Sequence, residues 1–338
     1  TTTCRVAQYY YEHEEDEEIT LQTHSRGKGI NLVFLGDGFD AENISNGDYL
    51  RVMNEQMERF FDIEPYHTYR DYFNVSTAIA VSPESGIGTV NTIRNTKFET
   101  TFTGEVGLRG NYSTIFNYAM EVSPVDESNL NQSLIIVTPN TIDYGGITEM
   151  WTDGSAIAFC PLSEDSYPYD ARGIIQHEAG GHGFGKLGDE YIYHNTFIDF
   201  CDCTCCEHVY EFNIAKSLGW YENLSLTGKM HEVPWSHLIF DDRYSDVVDI
   251  YEGGFMHARG VFRSEQNSCM NNNISYYNAI SREAIVKRIM EYAGESYSFE
   301  KFVENDKRDA VNSLSRSAER PGVTVRGNQY APRIHKGK

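Results

Sequence analysis

The stretch that most limits what this chain can become runs from Ile174 to Tyr191, "IIQHEAGGHGFGKLGDEY". A glutamate follows the first of two histidines, and the second histidine stands five positions after the first. Asp170 is a good N-cap and Ile174 and Ile175 supply an inner face, so the segment starts as a helix. Each residue of an ideal α-helix turns by about 100°, so residues five apart diverge by roughly 140° and His177 and His182 would point to nearly opposite sides. A single wide, π-type turn absorbs one extra residue and returns both imidazoles to one face. Gly180 and Gly181 are where that distortion costs least in sterics, although two glycines destabilise a helix interior by about 1 kcal/mol each. Spacing alone leaves two readings open: a π-type turn carrying both histidines, or a helix that ends at Gly180 and leaves His182 in a loop.

The chemistry of the stretch favours a metal. Zinc hydrolysis needs two neutral imidazoles on one face of a rigid element, a third ligand from elsewhere, an open coordination position and a carboxylate to take a proton from water. His177, His182 and Glu178 would supply most of this. Gly183 and Gly185 let the chain leave the helix sharply, and Asp189 or Glu190 can then return an oxygen ligand. Gly183, Gly185 and Gly188 also spell G-x-G-x-x-G, but a dinucleotide loop needs a strand directly before it and its helix after it. Here the helix precedes the glycines, so the match carries no nucleotide site.

The rest of the chain alternates strand and helix. Residues 30 to 39, "INLVFLGDGF", read as a buried strand, and 46 to 61 place Leu50, Met53, Met57 and Phe60 at helical spacing. Residues 73 to 82 and 131 to 140 read as further strands, with a helical stretch over 112 to 121 between them. Residues 145 to 163 read as a hairpin turning at Asp153-Gly154, and the histidine helix follows it. A later helix over 278 to 294 is ended by Gly294. The alternation predicts an α/β sheet with covering helices. The acidic run "EHEEDEE" (12 to 18) reads as a solvated tail, with the fold starting after it. The last 28 residues lean basic and read as an extended segment packing on the acidic body.

Composition excludes several classes of partner. The 338 residues carry a net charge of −22, which repels phosphate backbones and argues against nucleic acid. No apolar run approaches the ~20 residues needed to span a bilayer. The opening "TTTCRVAQYY" has neither an initiator Met nor a signal-peptide core, which leads to the expectation of a removed export signal. Seven cysteines are present, four of them as Cys201, Cys203, Cys205 and Cys206. Extracellular disulfides or a structural metal would account for the cluster, although C-x-C-x-C-C is not the paired spacing of zinc ribbons. The acidity admits calcium, but no D-x-[DN]-x-[DN]-G loop is present.

Downstream, "NSCMNNNISYYNAISREA" sets Met270 in a small-polar turn before a helix. With this turn, the histidine helix, its glycine exit and the acid after it, the chain resembles the metzincin clan of zinc peptidases. Within that clan "HEAGGHGFGKLGDEY", "YEGG" (251 to 254), "GVFR" (260 to 263), "NSCM" and "YYNAISREAI" are similar to the IgA-protease family of secreted bacterial zinc metallopeptidases, over roughly residues 29 to 295. The resemblance implies a metzincin-like α/β fold: a twisted mixed sheet with covering helices, a zinc helix, a Met-turn and a smaller C-terminal subdomain. With the acidic segment at 1–28 and the basic extension at 311–338 read from charge, the catalytic domain is expected at 29–310, divided near 188.

Residue by residue, the resemblance makes His177 and His182 the helical zinc ligands, Glu178 the general base and Met270 the methionine under the metal. Asp189 falls nearest the third ligand, with His194 and Glu190 in reserve. Metzincins generally space the helical histidines by four and set the third ligand six further on; here the spacings are five and seven. Tyr276 or Tyr277 would help stabilise an oxyanion. The hairpin would present an edge strand whose free backbone groups bind substrate. The expected activity is hydrolysis of protein or glycoprotein substrates by metal-activated water at an extracellular surface. The alternative is a noncatalytic binding or adhesion protein on the same scaffold.

Overall fold

The computed structural model describes residues 13–198, 206–308 and 331–337. Its main sheet grows from strands that are apolar on both faces. In β2 (Ile30–Asp37), Leu32 and Phe34 enter one hydrophobic cluster while Val33 and Leu35 enter another. β4 (Leu134–Pro139) divides the same way, Leu134 and Ile136 against Ile135 and Val137. Strands without a polar face need cover on both sides, which favours parallel pairing with helices above and below. β2 lies parallel to both β3 (Phe73–Ala78) and β4. Helix α1 (Asp48–Phe61) covers the first face through Val52, Met53 and Phe60, and α2 (Tyr112–Val122) covers the second through Ile115, Phe116 and Ala119.

The expected hairpin forms. β5 (Ile147–Trp151) pairs antiparallel with β6 (Ala156–Phe159), and Asp153 Oδ1 accepts from Ser155 N at 2.9 Å while Gly154 takes φ 102° in the turn. Helix α3 (Ala171–Ile175) then opens, with the Asp170 side chain accepting from Gly173 N. Beyond it a smaller sheet joins β7 (Ile192–Phe197), β8 (Tyr251–Gly254), β9 (Met256–Arg263) and Leu224–Ser225, with α4 (Cys206–Ser217) between the first two of these strands in sequence. Helix α5 (Ala279–Ala293), capped by Asn278 and closed by Gly294 at φ 72°, returns to the first face of the main sheet. Helix α6 (Phe299–Asn305) follows. The result is a mixed α/β architecture.

Two expectations about the chain ends change. Residues up to 28 do not simply precede the fold: β1 (Glu18–Gln22) pairs antiparallel with β3 as the outer strand. Ile19 and Leu21 pack on the core there, and Lys97 Nζ holds Glu15 at 2.7 Å and Asp16 at 3.1 Å. The neighbouring carboxylates obscured a short alternation. At the other end β10 (Arg333–His335) adds in parallel to β5, giving the order β1-β3-β2-β4-β6-β5-β10. The hairpin edge expected to offer free backbone groups is therefore already paired over Glu149–Trp151. The cysteine cluster lies outside the described residues apart from the backbone of Cys206, whereas Cys160 and Cys269 are buried free thiols. No helix among the described residues is long and apolar enough to cross a membrane.

Candidate active site and metal centre

Helix α3 does not stop at Gly180. It passes into a π-helix over Gln176–Phe184, so the widening expected as one turn extends through nine residues. Gly185 N donates to Gly180 O at 3.0 Å, an i→i+5 bond, and such bonds stack residues five apart above one another. Distant side chains hold the widened form. Tyr66 Oη donates to Gly180 O at 2.6 Å, and Tyr277 Oη donates to Gln176 O. Glycine is required at both central positions by close approach: a β-carbon on Gly180 would strike the Tyr277 hydroxyl, and one on Gly181 would strike the Met270 sulfur. Met270 thus lies directly against the helix, fully buried.

The wide turn brings the two rings together. His177 Nε2 and His182 Nε2 are 3.1 Å apart, and Asp189 Oδ1 lies 3.0 Å from the first and 3.1 Å from the second. Among the described residues this is the group of His, Cys, Asp and Glu side chains close enough to share an ion. The tautomers follow from the outer contacts: His177 Nδ1 donates to Cys269 O at 2.9 Å, and His182 Nδ1 donates to Leu187 O at 2.7 Å. Each ring is left with its Nε2 lone pair aimed at the centre, the usual role of a second shell around a metal.

That arrangement fits a cation. Two lone pairs and a carboxylate face one another, and Asp189 Oδ2 is buried with no hydrogen-bond partner, a condition that normally costs about 1–3 kcal/mol. Burial would push the His177 ring down, but the hydrogen bond and charge of Asp189 lift it to about 9. Burial likewise opposes ionisation of Asp189, and the two imidazoles overcome it, holding the carboxyl at about 2. A shared proton and a dication therefore compete for the same space, so metal binding would release the proton. Two imidazoles and one carboxylate are a donor set that leaves zinc an open position.

Glu178 completes the group from the same helix and, at 8%, is more exposed than either histidine or Asp189. Thr148 Oγ1, on β5, sits 2.9 Å from Glu178 Oε2 and 2.8 Å from Glu178 O. Burial raises the Glu178 carboxyl above its usual range, and the His182 and His177 rings and the Thr148 contact oppose that rise. A raised carboxyl is suited to exchanging protons near neutral pH.

The remaining sequence candidates separate clearly. Glu190, adjacent to Asp189, has both oxygens committed: Oε1 accepts from Asn223 and Asn278 at 2.9 and 2.7 Å, and Oε2 accepts from Ser268 Oγ at 2.5 Å. It ties the Met270 turn to the helix exit, and Glu190 N also donates to Met270 O at 2.7 Å. His194 lies on β7, exposed, beside His257 and away from this centre. Tyr276 and Tyr277 do not offer free hydroxyls, because Tyr276 Oη donates to Glu265 Oε2 at 2.7 Å and Tyr277 Oη serves the π-helix. As placed, both hydroxyls are engaged within the protein. Thr148, Tyr66 and the carbonyls of Cys269 and Leu187 were not singled out from sequence. Only Thr148 left a signal, its place on the hairpin.

Comparison with known families gives the class first, a peptidase. The chain belongs to the IgA Peptidase M64 family, whose sequence model matches residues 19–239. No curated protein is significantly similar to it.

Proposed function

We propose that this protein is a secreted, zinc-dependent endopeptidase acting on protein or glycoprotein substrates. The observation that carries the reading is the convergence of His177, His182 and Asp189 beside the carboxylate of Glu178, in a member of a peptidase family. In this reading the π-helix is the zinc helix, the turn at Met270 is the Met-turn, and the catalytic domain opens with β1. Zinc held by the three ligands would supply Lewis acidity to a substrate carbonyl and acidify water. Glu178 takes the proton of the attacking water at Oε1 or Oε2 and hands it to the leaving amine. Thr148 orients that carboxylate, and Cys269 O and Leu187 O hold the rings in the tautomer that leaves Nε2 unprotonated. The family's name points to immunoglobulin A; the class proposed here is the broader one.

Glu178→Ala is the direct test. Turnover of an unfolded protein substrate should fall by about 10²–10⁴-fold, the usual contribution of a general base, with zinc content and the thermal transition kept. Chelation should abolish turnover and zinc addition restore it. Undiminished proteolysis by the variant, or by the chelated protein, rules the reading out.

A further inference from the structure

The edge of β5 recognises the strand that covers it. Successive residues of β5 face opposite sides: Thr148, bonded to Glu178, and Met150 turn to the side of the candidate active site, while Glu149 and Trp151 turn to the side of α2. Glu149 is fully buried, and its basic partners both come from β10. His335 Nε2 lies 2.7 Å from Glu149 Oε2, and Arg333 Nη1 lies 3.3 Å from Oε1, which also accepts from Tyr112 Oη at 2.7 Å. The His335 ring stacks on Trp151 with centroids 4.8 Å apart. A cavity of about 800 Å³ continues beside that ring, lined by Tyr112, Phe116, Leu130, Trp151 and His335. The apolar hold on β10 is slight by comparison. It pairs over three residues and offers the core a partly buried Ile334, whereas the opposite outer strand β1 spans five and offers Ile19 and Leu21.

We propose that β10 is an exchangeable occupant of a peptide-binding edge, and that this edge takes extended segments of the pattern basic, apolar, ring. Main-chain bonds of an added strand supply affinity, and sites for alternate side chains supply specificity. Glu149 and Trp151 are such sites. A buried carboxylate is costly unless it is paired, so Glu149 disfavours a bare edge or a neutral neighbour and selects a basic one. The two strands are parallel, with Arg333 opposite Glu149, so the chain enters β10 from the end of β5 that carries Thr148. A peptide held by Glu149 and Trp151 would therefore lie beside the residue that steadies Glu178, and β10 and such a peptide exclude one another. The link to substrate rests on the peptidase reading above; the exchange of strands does not.

Two measurements on the full chain test this. In the first, a labelled peptide of residues 331–337, "APRIHKG", is titrated by fluorescence anisotropy onto Glu178→Ala, with and without Arg333→Glu/His335→Glu, which sets like charge against Glu149 and releases β10. The released variant should bind the peptide at least about tenfold more tightly, because in the parent only the fraction with a free edge is competent. Adding Glu149→Gln should remove that binding. Equal affinity with β10 held or released, no binding to the released variant, or a released variant that no longer unfolds cooperatively overturns the exchange. In the second, with Glu178 intact, releasing β10 should lower KM for an unfolded protein substrate several-fold at unchanged kcat, and the peptide should then inhibit competitively. An unchanged KM overturns the link to substrate. Peptide binding without turnover in either protein sinks the catalytic reading and leaves the exchange standing.

Discussion

Asp37 and Asp189 are both fully buried carboxylates, and the regions around them treat the charge in opposite ways. Asp37, at the end of β2, accepts from Ser82 Oγ at 3.2 Å, Phe98 N at 3.0 Å, Thr96 Oγ1 at 2.9 Å and Thr100 N at 2.9 Å. Every donor comes from one long loop, so the carboxylate organises that loop and nothing is left over for a ligand. Asp189 instead faces two lone-pair-bearing imidazoles and keeps Oδ2 without a partner. Its neighbour Glu190 repeats the pattern of Asp37, with Asn223, Asn278 and Ser268 as donors. A buried carboxylate whose bonds are complete is part of the framework; one left incomplete beside other ligand atoms marks chemistry.

That contrast can be broken by substitution. Asp189→Asn should lower zinc affinity by more than about 100-fold, beyond what loss of an outer-shell partner costs; zinc titration reads it. Asp37→Asn should do the reverse, costing about 2 kcal/mol of stability because an amide NH₂ then faces donors, with zinc affinity intact. If Asp37→Asn lost metal or Asp189→Asn kept its zinc affinity, the distinction would fail.

Smaller effects sharpen it. Gly181→Ala forces the Met270 sulfur away from the helix and should cost about 1–2 kcal/mol by overpacking, read as a lower denaturant midpoint with zinc still bound. Arg333→Ala removes an ion pair to Glu149 in which the arginine is 45% exposed, so its effect should stay under about 1 kcal/mol; a larger loss would make the outer strand part of the framework.

Much of the main sheet was legible because its signals are local. The apolar run of 30–37, the helical spacing of Met53, Met57 and Phe60, and Asp153-Gly154 each specify their element within a few residues. The histidine pair was legible as chemistry but not as geometry. Whether five-residue spacing unites or separates the rings is decided by Tyr66, Tyr277 and Met270, which reach the helix from 114, 101 and 89 positions away in sequence (180 − 66, 277 − 176 and 270 − 181). The choice between Asp189 and Glu190 was hidden for the same reason, since Asn223, Ser268 and Asn278 make it. β1 was missed because charge masked a short alternation. The acceptors of the Tyr276 and Tyr277 hydroxyls were not legible, because no sequence pattern shows which acceptor a tyrosine finds.

β10 has a consequence for biosynthesis. Arg333 meets Glu149 across 184 positions, so during translation the border strand β5, with the Thr148 that steadies Glu178, stands unsealed until the polypeptide has been made through His335. Until then a newly made molecule would carry an open, strand-shaped rim, the kind of surface that invites pairing with another chain. Closure of the sheet would then come after the surroundings of His177, His182 and Asp189 have been laid down.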